Sequence, residues 1–549
     1  MSPLKHGDRE LKLVAGKTIF DFADDLHLRV PTSCGRNGDC HECIVEVRQG
    51  MDALSSPTPE ESFLRGNYRL ACQAAVVDPE ALVEFNVLRR QPKILTASVK
   101  RDFKLDPLTV RRGDDVVWLG GEGGRGGPVR LDEYSGAIYG IALDLGTTTV
   151  AMHLVDLETG RIAYTASFEN PQRFGGSDIM NRISYDGGKY RGELKQVAHS
   201  SVNFEIGDMV RRLKIRRRQI YEMVVVGNST MRDIFFGLDV QSIGEKPYRS
   251  LTEHELLAGK RSTTALNVKA GELGMRIHPS ANVYAGPLIG SHVGADIAAD
   301  LLAIAMDEEE DPVILVDVGT NTEVVVGNRH RMLAASCPAG PAFEGGAITY
   351  GMPGYDGAVE TLKLAAEGVE FKTIGNKAPQ GICGSGLIDL LAELRRVGRM
   401  NELGVLTGGD REFEFVPDKG LTISRADISA LAQAKSANFC GQQIVLRRYG
   451  LPIEKFKRLY LAGGFANYVD VDNALAIGFV ANVPRARITK IGNASLEGAS
   501  VMLLSGELRS RVEGLVRTIE HVELETEPDF FELFVEGCHF RPMFDAARG

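Results

Sequence analysis

Two short stretches of this sequence are nearly the same, and they begin 173 residues apart. Ile141 to Thr149 and Ile314 to Thr322 each run through apolar residues to an aspartate, a glycine and a turn rich in hydroxyl and amide side chains. A second apolar run follows each turn, so each stretch predicts a β-hairpin. The two hairpin tips predict two similar lobes that hold one ligand between them.

The hairpin tips have the chemistry that holds a chain of phosphates. Backbone N–H groups and hydroxyls donate to phosphate oxygens, and a carboxylate holds Mg²⁺ or orients a water. We therefore expect Asp144 and Asp317 to be the catalytic residues of a two-lobed nucleotide clamp. The candidate phosphate-binding residues are Gly146, Thr147, Thr148, Thr149, Gly319, Thr320, Asn321 and Thr322. The alternative is a pair of ordinary strand–turn units without a ligand.

Four clustered cysteines predict a metal site upstream of the first hairpin. They are Cys34, Cys40, Cys43 and Cys72. Three cysteines in one loop and a fourth far downstream is the arrangement of 2Fe–2S ferredoxins, here with one more residue in the first gap than the plant-type spacing has. A four-cysteine zinc site is the alternative, but zinc sites usually use two short-spaced pairs. We expect these four cysteines to hold a 2Fe–2S cluster.

Composition limits the class of protein. The chain has 549 residues, 44% hydrophobic and 25% charged, which is long enough for several domains with sizeable cores. The net charge of −10 argues against nucleic-acid binding. No apolar run approaches the ~18 residues of a membrane span, and no secretory signal is visible. Clustered thiols suit a reducing compartment, so we expect a cytoplasmic protein.

The chain divides into three regions by pattern. Residues 1–90 have the strand and helix order of a β-grasp ferredoxin. Residues 91–137 read as a flexible linker, with room for a small β element around Trp118 and with a glycine-rich stretch, Gly120 to Gly127, as a hinge. We expect this hinge to let the first domain move.

The third region, 138–549, alternates apolar strands with helical patterns and predicts a two-lobed α/β domain. The hairpin copies divide it into halves of about 138–305 and 306–549. The acidic run Asp307 to Asp311, just before the second copy, is expected to be a solvated loop. The fold class is therefore multidomain α/β and α+β, with a ferredoxin followed by an ATPase.

The two hairpins, together with Leu461 to Asn467, resemble the superfamily of acetate and sugar kinases, Hsp70 and actin. This resemblance implies two phosphate loops and a glycine pair beside adenosine. The adenosine contacts would be Gly463, Gly464 and Phe465. Glycine suits this position because a side chain would block the approach of the backbone to the base or ribose.

Several further stretches resemble the ATP-dependent reductive activators of corrinoid proteins. They are Asn170 to Gln172, Val226 to Met231, Ser336 to Gly346, Gly381 to Asp389 and Leu461 to Asp470. The resemblance implies reduction of Co(II) to Co(I) in a corrinoid protein of a methyltransferase system, with an electron from the 2Fe–2S cluster and with ATP and Mg²⁺. It also implies an upstream electron donor, places Ser336 toward the partner's corrinoid, and leaves a homodimer as one option.

Two other functions fit part of these observations. One is a small-molecule kinase with a regulatory iron–sulfur domain, although we find no convincing base for a substrate hydroxyl. The other is a chaperone-like ATPase that assembles cofactors. The spectrum of a Co(II) corrinoid protein mixed with ATP and a reductant separates all three.

Overall fold

The structure is a computed structural model that describes residues 3–7, 9–88, 100–120, 127–366, 368–464 and 466–544. The first region is a five-stranded sheet in the order β2-β1-β5-β3-β4 with one helix packed on it. Its elements are β1 (Pro3–His6), β2 (Arg9–Lys12), α1 (Ile19–Asp25), β3 (Ile44–Gln49), β4 (Tyr68–Leu70) and β5 (Val83–Val87). Thr18 caps α1 and accepts from the backbone N–H of Asp21, which fixes where the helix begins.

A second, three-stranded sheet follows where the sequence suggested a linker. Its strands are β6 (Thr109–Arg112), β7 (Asp115–Trp118) and β8 (Val129–Glu133). The hydroxyl of Thr109 donates to Glu222 at 2.8 Å, and Val116 joins the core of the following domain. In the described parts of 91–137 the chain is therefore a packed element rather than a free connector, because its apolar face is buried against its neighbour.

The glycine-rich stretch expected to be a hinge lies mostly outside the described residues, at 121–126. Its flanks are described, and they belong to one hairpin: Trp118 pairs with Val129, and Asp115 with Glu133. The stretch therefore connects two neighbouring strands of one sheet, and it does not join the ferredoxin to the rest of the chain.

The first lobe of the large domain is a six-stranded sheet in the order β11-β10-β9-β12-β14-β13. Its strands are β9 (Tyr139–Leu145), β10 (Thr149–Asp156), β11 (Ile162–Glu169), β12 (Ile220–Val226), β13 (Leu266–Lys269) and β14 (Asn282–Ala285). Its helices are α2 (Ile179–Asp186), α3 (Glu193–Leu213), α4 (Ser229–Phe236), α5 (Leu251–Leu257), α6 (Ala270–Leu273) and α7 (Ala295–Ala303).

The second lobe repeats the plan with a six-stranded sheet in the order β24-β23-β15-β16-β17-β25. The strands from this half are β15 (Val313–Val318), β16 (Thr322–Asn328), β17 (Arg331–Cys337), β18 (Ala358–Ala365), β19 (Gly368–Thr373), β20 (Gly381–Ile382), β21 (Glu412–Val416), β22 (Leu421–Ser424), β23 (Arg458–Ala462), β24 (Ile488–Gly492) and β25 (Glu520–His521). The helices are α8 (Gly384–Arg396), α9 (Arg425–Tyr449), α10 (Val471–Ala476), α11 (Ala494–Leu504), α12 (Gly506–Leu515) and α13 (Phe530–Gly537).

The internal repeat extends beyond the hairpin tips. In each lobe three antiparallel strands come first, and the first of them then pairs with a parallel strand: β9 with β12, and β15 with β23. Because both hairpins open the same strand pattern, their tips reach corresponding places in the two sheets.

The chain does not separate cleanly into halves near residue 305. Helices α11 and α12, late in the sequence, pack on the first lobe, with Leu503 and Val512 in the same buried cluster as Ala142. His153 of β10 and Ser500 of α11 are hydrogen bonded at 3.0 Å. The last part of the chain therefore returns to cover the first sheet.

The acidic run is a loop that is only partly solvated: Glu308, Glu310 and Asp311 are exposed as expected, whereas the side chains of Asp307 and Glu309 are held in ion pairs. Asp307 is buried and accepts from Arg101 at 2.7 Å and from Arg511 at 3.2 Å, while Glu309 accepts from Lys457 at 2.8 Å. Burial is tolerated because each of these carboxylates has a cationic partner.

The ferredoxin region shares a core with the first lobe. Phe63 packs edge-on against Phe174 with ring centroids 5.4 Å apart, and Leu194 and Val197 of α3 join the same buried cluster. Within the part of the chain that the structure describes, no helix combines the length and apolar character needed to cross a bilayer.

Candidate functional site

The two hairpin tips face each other across a cleft with a cavity of about 200 Å³. Both predicted phosphate loops line it, together with Gly463, Gly464 and residues that the sequence analysis did not single out. These additional residues include Asn228, Asp296, Glu323, Glu344, Tyr468 and Asn493. The structure therefore brings the predicted residues of both hairpins together in one cavity, with the exception of Thr322, which is buried in β16 and does not line it.

The two loops contact each other directly. The hydroxyls of Thr148 and Thr320 lie 3.1 Å apart, one from each lobe. Both also donate to the carboxylate of Glu344, and the bond from Thr148 measures 3.1 Å. A phosphate bound between the loops would meet the same two hydroxyls.

Three side chains hold the first loop from behind. Asn170 donates to the carbonyl oxygen of Gly146 at 2.8 Å, and Asn228 donates to the hydroxyl of Thr147 at 3.0 Å. Arg182, which is fully buried, donates to the carbonyl oxygen of Thr147 at 2.7 Å. These bonds fix the loop backbone, which leaves its N–H groups free to face a ligand.

The cleft also collects carboxylates, whose burial favours the protonated form. Burial and the charge of Asp317 raise the pKa of Asp144 to about 7. A 2.8 Å hydrogen bond from Asn493 acts in the opposite direction but does not cancel this rise. Burial raises the pKa of Asp317 to about 6 and that of Asp296 to about 8. The described residues that line the cavity include no lysine or arginine. This donor set suits Mg²⁺, because a hard divalent cation prefers carboxylate oxygens and would neutralise them.

The glycine pair lines the same cavity, and its contact with adenosine stays a prediction. Gly463 has φ +109, and a Cβ at this residue would lie 2.1 Å from the carbonyl oxygen of Val318, so only glycine is accommodated. Gly464 lines the cavity with no protein atom near its would-be Cβ. Phe465, the third predicted adenosine contact, lies outside the described residues.

The four cysteines form two pairs in the ferredoxin region. The sulfurs of Cys43 and Cys72 are 3.4 Å apart, and Cys34 accepts a hydrogen bond from Cys40. No three side chains of the described chain are already grouped as ligands of a single metal ion. Two thiol pairs are nevertheless the donor set that a two-iron cluster requires.

Hydrogen bonds favour the thiolate form at two of these sulfurs, those of Cys34 and Cys72. Burial opposes ionisation of Cys34, yet donors that include the backbone N–H groups of Cys40 and Gly38 lower the pKa of its thiol to about 6. A hydrogen bond from Cys43 lowers the pKa of Cys72 to about 7, while that same bond and burial raise the pKa of Cys43 well above its usual value, so this pair holds one thiolate and one thiol. Thiolate is the form that binds iron, so the loop fits the cluster.

The cluster loop is held directly by the first lobe. His41, next to Cys40, lies 2.8 Å from the carboxylate of Glu193, and Gln196 donates to the carbonyl oxygen of Cys40 at 3.3 Å. The His41 ring stacks on Phe63 with centroids 4.1 Å apart. The ferredoxin domain is thus docked through the segment that carries its cysteines.

Ser336 lies near the end of β17, beside the nucleotide cleft. Its hydroxyl donates to Glu323 at 3.0 Å, and Glu323 lines the cavity. The loop after it lines a second cavity of about 390 Å³, which Glu46 and Arg48 of the ferredoxin domain also line. The expected approach of Ser336 to cobalt stays a prediction.

Comparisons with known proteins agree with this architecture. A family model described as the C-terminal domain of RACo, the ASKHA domain, matches residues 311–546, and one described as the RACo middle region matches 139–309. A model of the 2Fe-2S iron-sulfur cluster binding domain matches residues 5–77. The two RACo models match one after the other and together span 139–546, apart from residue 310. The predicted fold class, a ferredoxin domain followed by an actin- and Hsp70-like ATPase, is confirmed.

Individual proteins are similar to this chain over most of its length. The corrinoid activation enzyme RamQ of Eubacterium limosum is 28% identical over 97% of this chain and 98% of its own. A [Co(II) methylated amine-specific corrinoid protein] reductase of Methanosarcina barkeri is 24% identical over 72% of this chain and 76% of its own. The solved structure of a reductive activator for corrinoid, iron-sulfur protein matches with a TM-score of 0.72 and 26% identity, over 99% of this chain and 98% of that one.

Proposed function

We propose that this protein uses ATP to activate a corrinoid protein reductively, converting its Co(II) to Co(I). The observation that carries the proposal is the joining of two sites in one body: a four-cysteine loop is docked on the same lobe that presents the first phosphate loop. The names of its relatives, a corrinoid activation enzyme and a Co(II) corrinoid protein reductase, agree with it.

The electron requires an energetic explanation. When bound to Cys34, Cys40, Cys43 and Cys72, a 2Fe–2S cluster supplies one electron at a time, and one electron converts Co(II) to Co(I). Plant-type clusters lie near roughly −400 mV. Transfer of an electron from such a cluster to a cobalt centre of lower potential is uphill, and each ~59 mV of difference costs about 1.4 kcal/mol for one electron. An upstream reductant replaces the electron, and ATP hydrolysis makes the uphill transfer possible by linkage.

The residues of the cleft perform the ATP step in this proposal. Thr148 and Thr320 donate to phosphate oxygens, and Asp144 and Asp317 position Mg²⁺ and the water that attacks the terminal phosphate. ADP and phosphate leave, and no phosphorylated enzyme is needed. Gly463 and Gly464 give the adenosine side of ATP its close approach to the backbone.

The remaining parts of the proposal concern partners and place. We assign the protein to the cytoplasm, because none of its eight cysteines forms a disulfide and a reducing compartment preserves thiols and a thiolate-bound cluster. The net charge of −10 suits a protein partner rather than nucleic acid. A homodimer is compatible with these assignments, and light scattering of the purified protein tests it.

The decisive experiment follows the cobalt spectrum. The anaerobic protein is mixed with a corrinoid methyltransferase protein in the Co(II) state and a chemical reductant, with and without MgATP. We expect Co(I) absorption to appear only with ATP, and Asp144→Ala and Asp317→Ala to abolish it. Phosphorylation of a small molecule with an unchanged Co(II) spectrum would instead identify a kinase.

A further inference from the structure

Glu344 lies between the two phosphate loops. Its Oε2 accepts from the hydroxyls of both Thr148 and Thr320, so one carboxylate oxygen ties together the two lobes and its own loop, Pro341 to Gly346. The sequence analysis gave this residue no role, because nothing local in the sequence indicates that its side chain reaches either hairpin.

The position of Glu344 is incompatible with a bound triphosphate. A threonine hydroxyl has one proton to donate, so it serves either the carboxylate or a phosphate oxygen. Burial raises the pKa of Glu344, but whenever the carboxylate is ionised it also repels phosphate, because the described lining of the cavity offers no lysine or arginine. A phosphate that settles between the loops must therefore displace Glu344.

The structure provides a place for the displaced side chain. Glu344 and Thr148 line both the nucleotide cleft and the second cavity, so the residue stands on the wall between them. Arg173 lines the second cavity, where it forms an ion pair with Glu169; burial raises the pKa of Glu344, and the charge of Arg173 partly opposes that rise. The far side of this cavity is formed by ferredoxin residues, which include Arg48 and Asn86.

We propose that Glu344 is a latch that nucleotide displaces. Without nucleotide it holds the loop Pro341 to Gly346 against Thr148 and Thr320; a bound triphosphate takes over both hydroxyls, and the carboxylate turns toward Arg173 with its loop. The two arrangements are the two states that ATP selects between, since the triphosphate binds only the unlatched one. This inference rests on the proposed function, because it assumes that ATP occupies the cleft.

The loop has backbone features that make such a rearrangement local. Gly345 has φ +86, and a Cβ at that position would lie 2.3 Å from the backbone nitrogen of Met352. Gly346 follows it, and Gly340 precedes the loop with φ +76. Glycines at both ends supply backbone torsions that other residues rarely adopt, so the turn can change without unfolding β17.

The test compares three variants of the full-length protein with cluster intact. AMP-PNP with Mg²⁺ and ADP with Mg²⁺ are titrated by calorimetry, and hydrogen exchange is followed in the peptide that spans 338–352. In the wild-type protein AMP-PNP should speed exchange in this peptide. Glu344→Ala should show fast exchange without nucleotide, and AMP-PNP should add little.

Glu344→Gln separates charge from the tether. The amide oxygen still accepts from the threonines, so the loop should stay protected without nucleotide. AMP-PNP should bind roughly tenfold tighter than to the wild type, which corresponds to about 1.4 kcal/mol. Glu412→Gln is the matched control: this exposed carboxylate on β21 of the same lobe also accepts from a threonine hydroxyl, that of Thr422 at 3.3 Å, and does not line the cavity, so both measurements should stay unchanged.

The outcomes distinguish this inference from the function on which it rests. If AMP-PNP binds the wild type but exchange in 338–352 does not change, the latch is overturned and ATP binding stands. If neither nucleotide binds, both are overturned. If exchange in Glu344→Ala matched that of the wild type without nucleotide, the latch would also be overturned. The hydrogen bonds of Glu344 would then contribute nothing to the protection of the loop.

Discussion

The phenol of Tyr185 donates a hydrogen bond to the backbone carbonyl of Phe63 across 2.6 Å, from the first lobe of the ATPase to the ferredoxin domain. One turn earlier in α2, Arg182 donates to the carbonyl oxygen of Thr147 in the first phosphate loop at 2.7 Å. Both side chains are buried. A single helix of eight residues therefore contacts the nucleotide cleft with one side chain and the ferredoxin domain with another.

Removal of the Tyr185 hydroxyl should loosen the ferredoxin domain without disturbing its cluster. Tyr185→Phe keeps the edge-on ring packing on Phe174 but leaves the carbonyl of Phe63 without this donor, which costs about 1–3 kcal/mol for a buried group. We expect faster hydrogen exchange in residues 58–70 and an unchanged cluster spectrum.

Tyr134→Phe is the matched control for that experiment. Its exposed phenol donates to Glu158 at 3.0 Å, at a site that makes no described contact with the ferredoxin domain, so exchange in 58–70 should match the wild type. Equal exchange in both variants and the wild type would show that packing alone docks the domain.

The stability of the nucleotide-free protein should fall as pH rises. Burial raises the pKa of Asp144 to about 7 and that of Asp317 to about 6, from an ordinary 3.8. Between the unfolded and folded pKa the native state keeps a proton that the unfolded chain releases. Stability that is fully present below about pH 4 is therefore lost toward pH 7, at about 1.4 kcal/mol per pH unit and group.

Denaturant midpoints at pH 5, 6 and 7 measure this effect. Asp144→Asn cannot ionise, so its midpoint should fall less steeply with pH than that of the wild type. MgATP should also flatten the wild-type dependence, because a cation stabilises the ionised carboxylates. Parallel pH curves for variant and wild type would show that Asp144 does not hold the raised pKa.

Binding of the 2Fe–2S cluster should depend on Cys40, although the Cys40 side chain is partly exposed. Anaerobically purified wild type should contain about two iron and two sulfide per chain, the content of one 2Fe–2S cluster. Cys40→Ser should lose most of the red-brown colour, whereas Cys538→Ser, a free and partly exposed thiol elsewhere, should keep it. Stoichiometric zinc without iron in the wild type would contradict the assignment.

The sequence predicted the parts of the site whose information is local. Asp144 and its threonines sit in one hairpin tip, so pattern alone located them. Asn228, Glu344 and Asn493 reach the same cavity from distant segments, and only tertiary packing brings them there. Asn228 and Glu344 do lie in stretches that carry the family resemblance, which was the one available signal; Asn493 had none.

The glycine-rich stretch could not be placed in the fold from the sequence alone. Its composition indicates flexibility, but composition does not show which elements the stretch connects. β7 and β8 flank the stretch and are paired strands of one sheet, so its ends stay close together even if the ferredoxin domain moves.

Replacement of 121–126 by the two residues Asn-Gly, a turn that suits paired strands, should leave cluster content, ATP hydrolysis and the rate of Co(II) reduction near wild type. The matched comparison is a shortening of 89–99, the segment that connects the ferredoxin domain to the rest of the chain, which should slow Co(II) reduction if that domain moves during turnover. Slow Co(II) reduction by the Asn-Gly variant, at normal cluster content and ATP hydrolysis, would support the original hinge hypothesis. It would mean that the small sheet moves together with the ferredoxin domain.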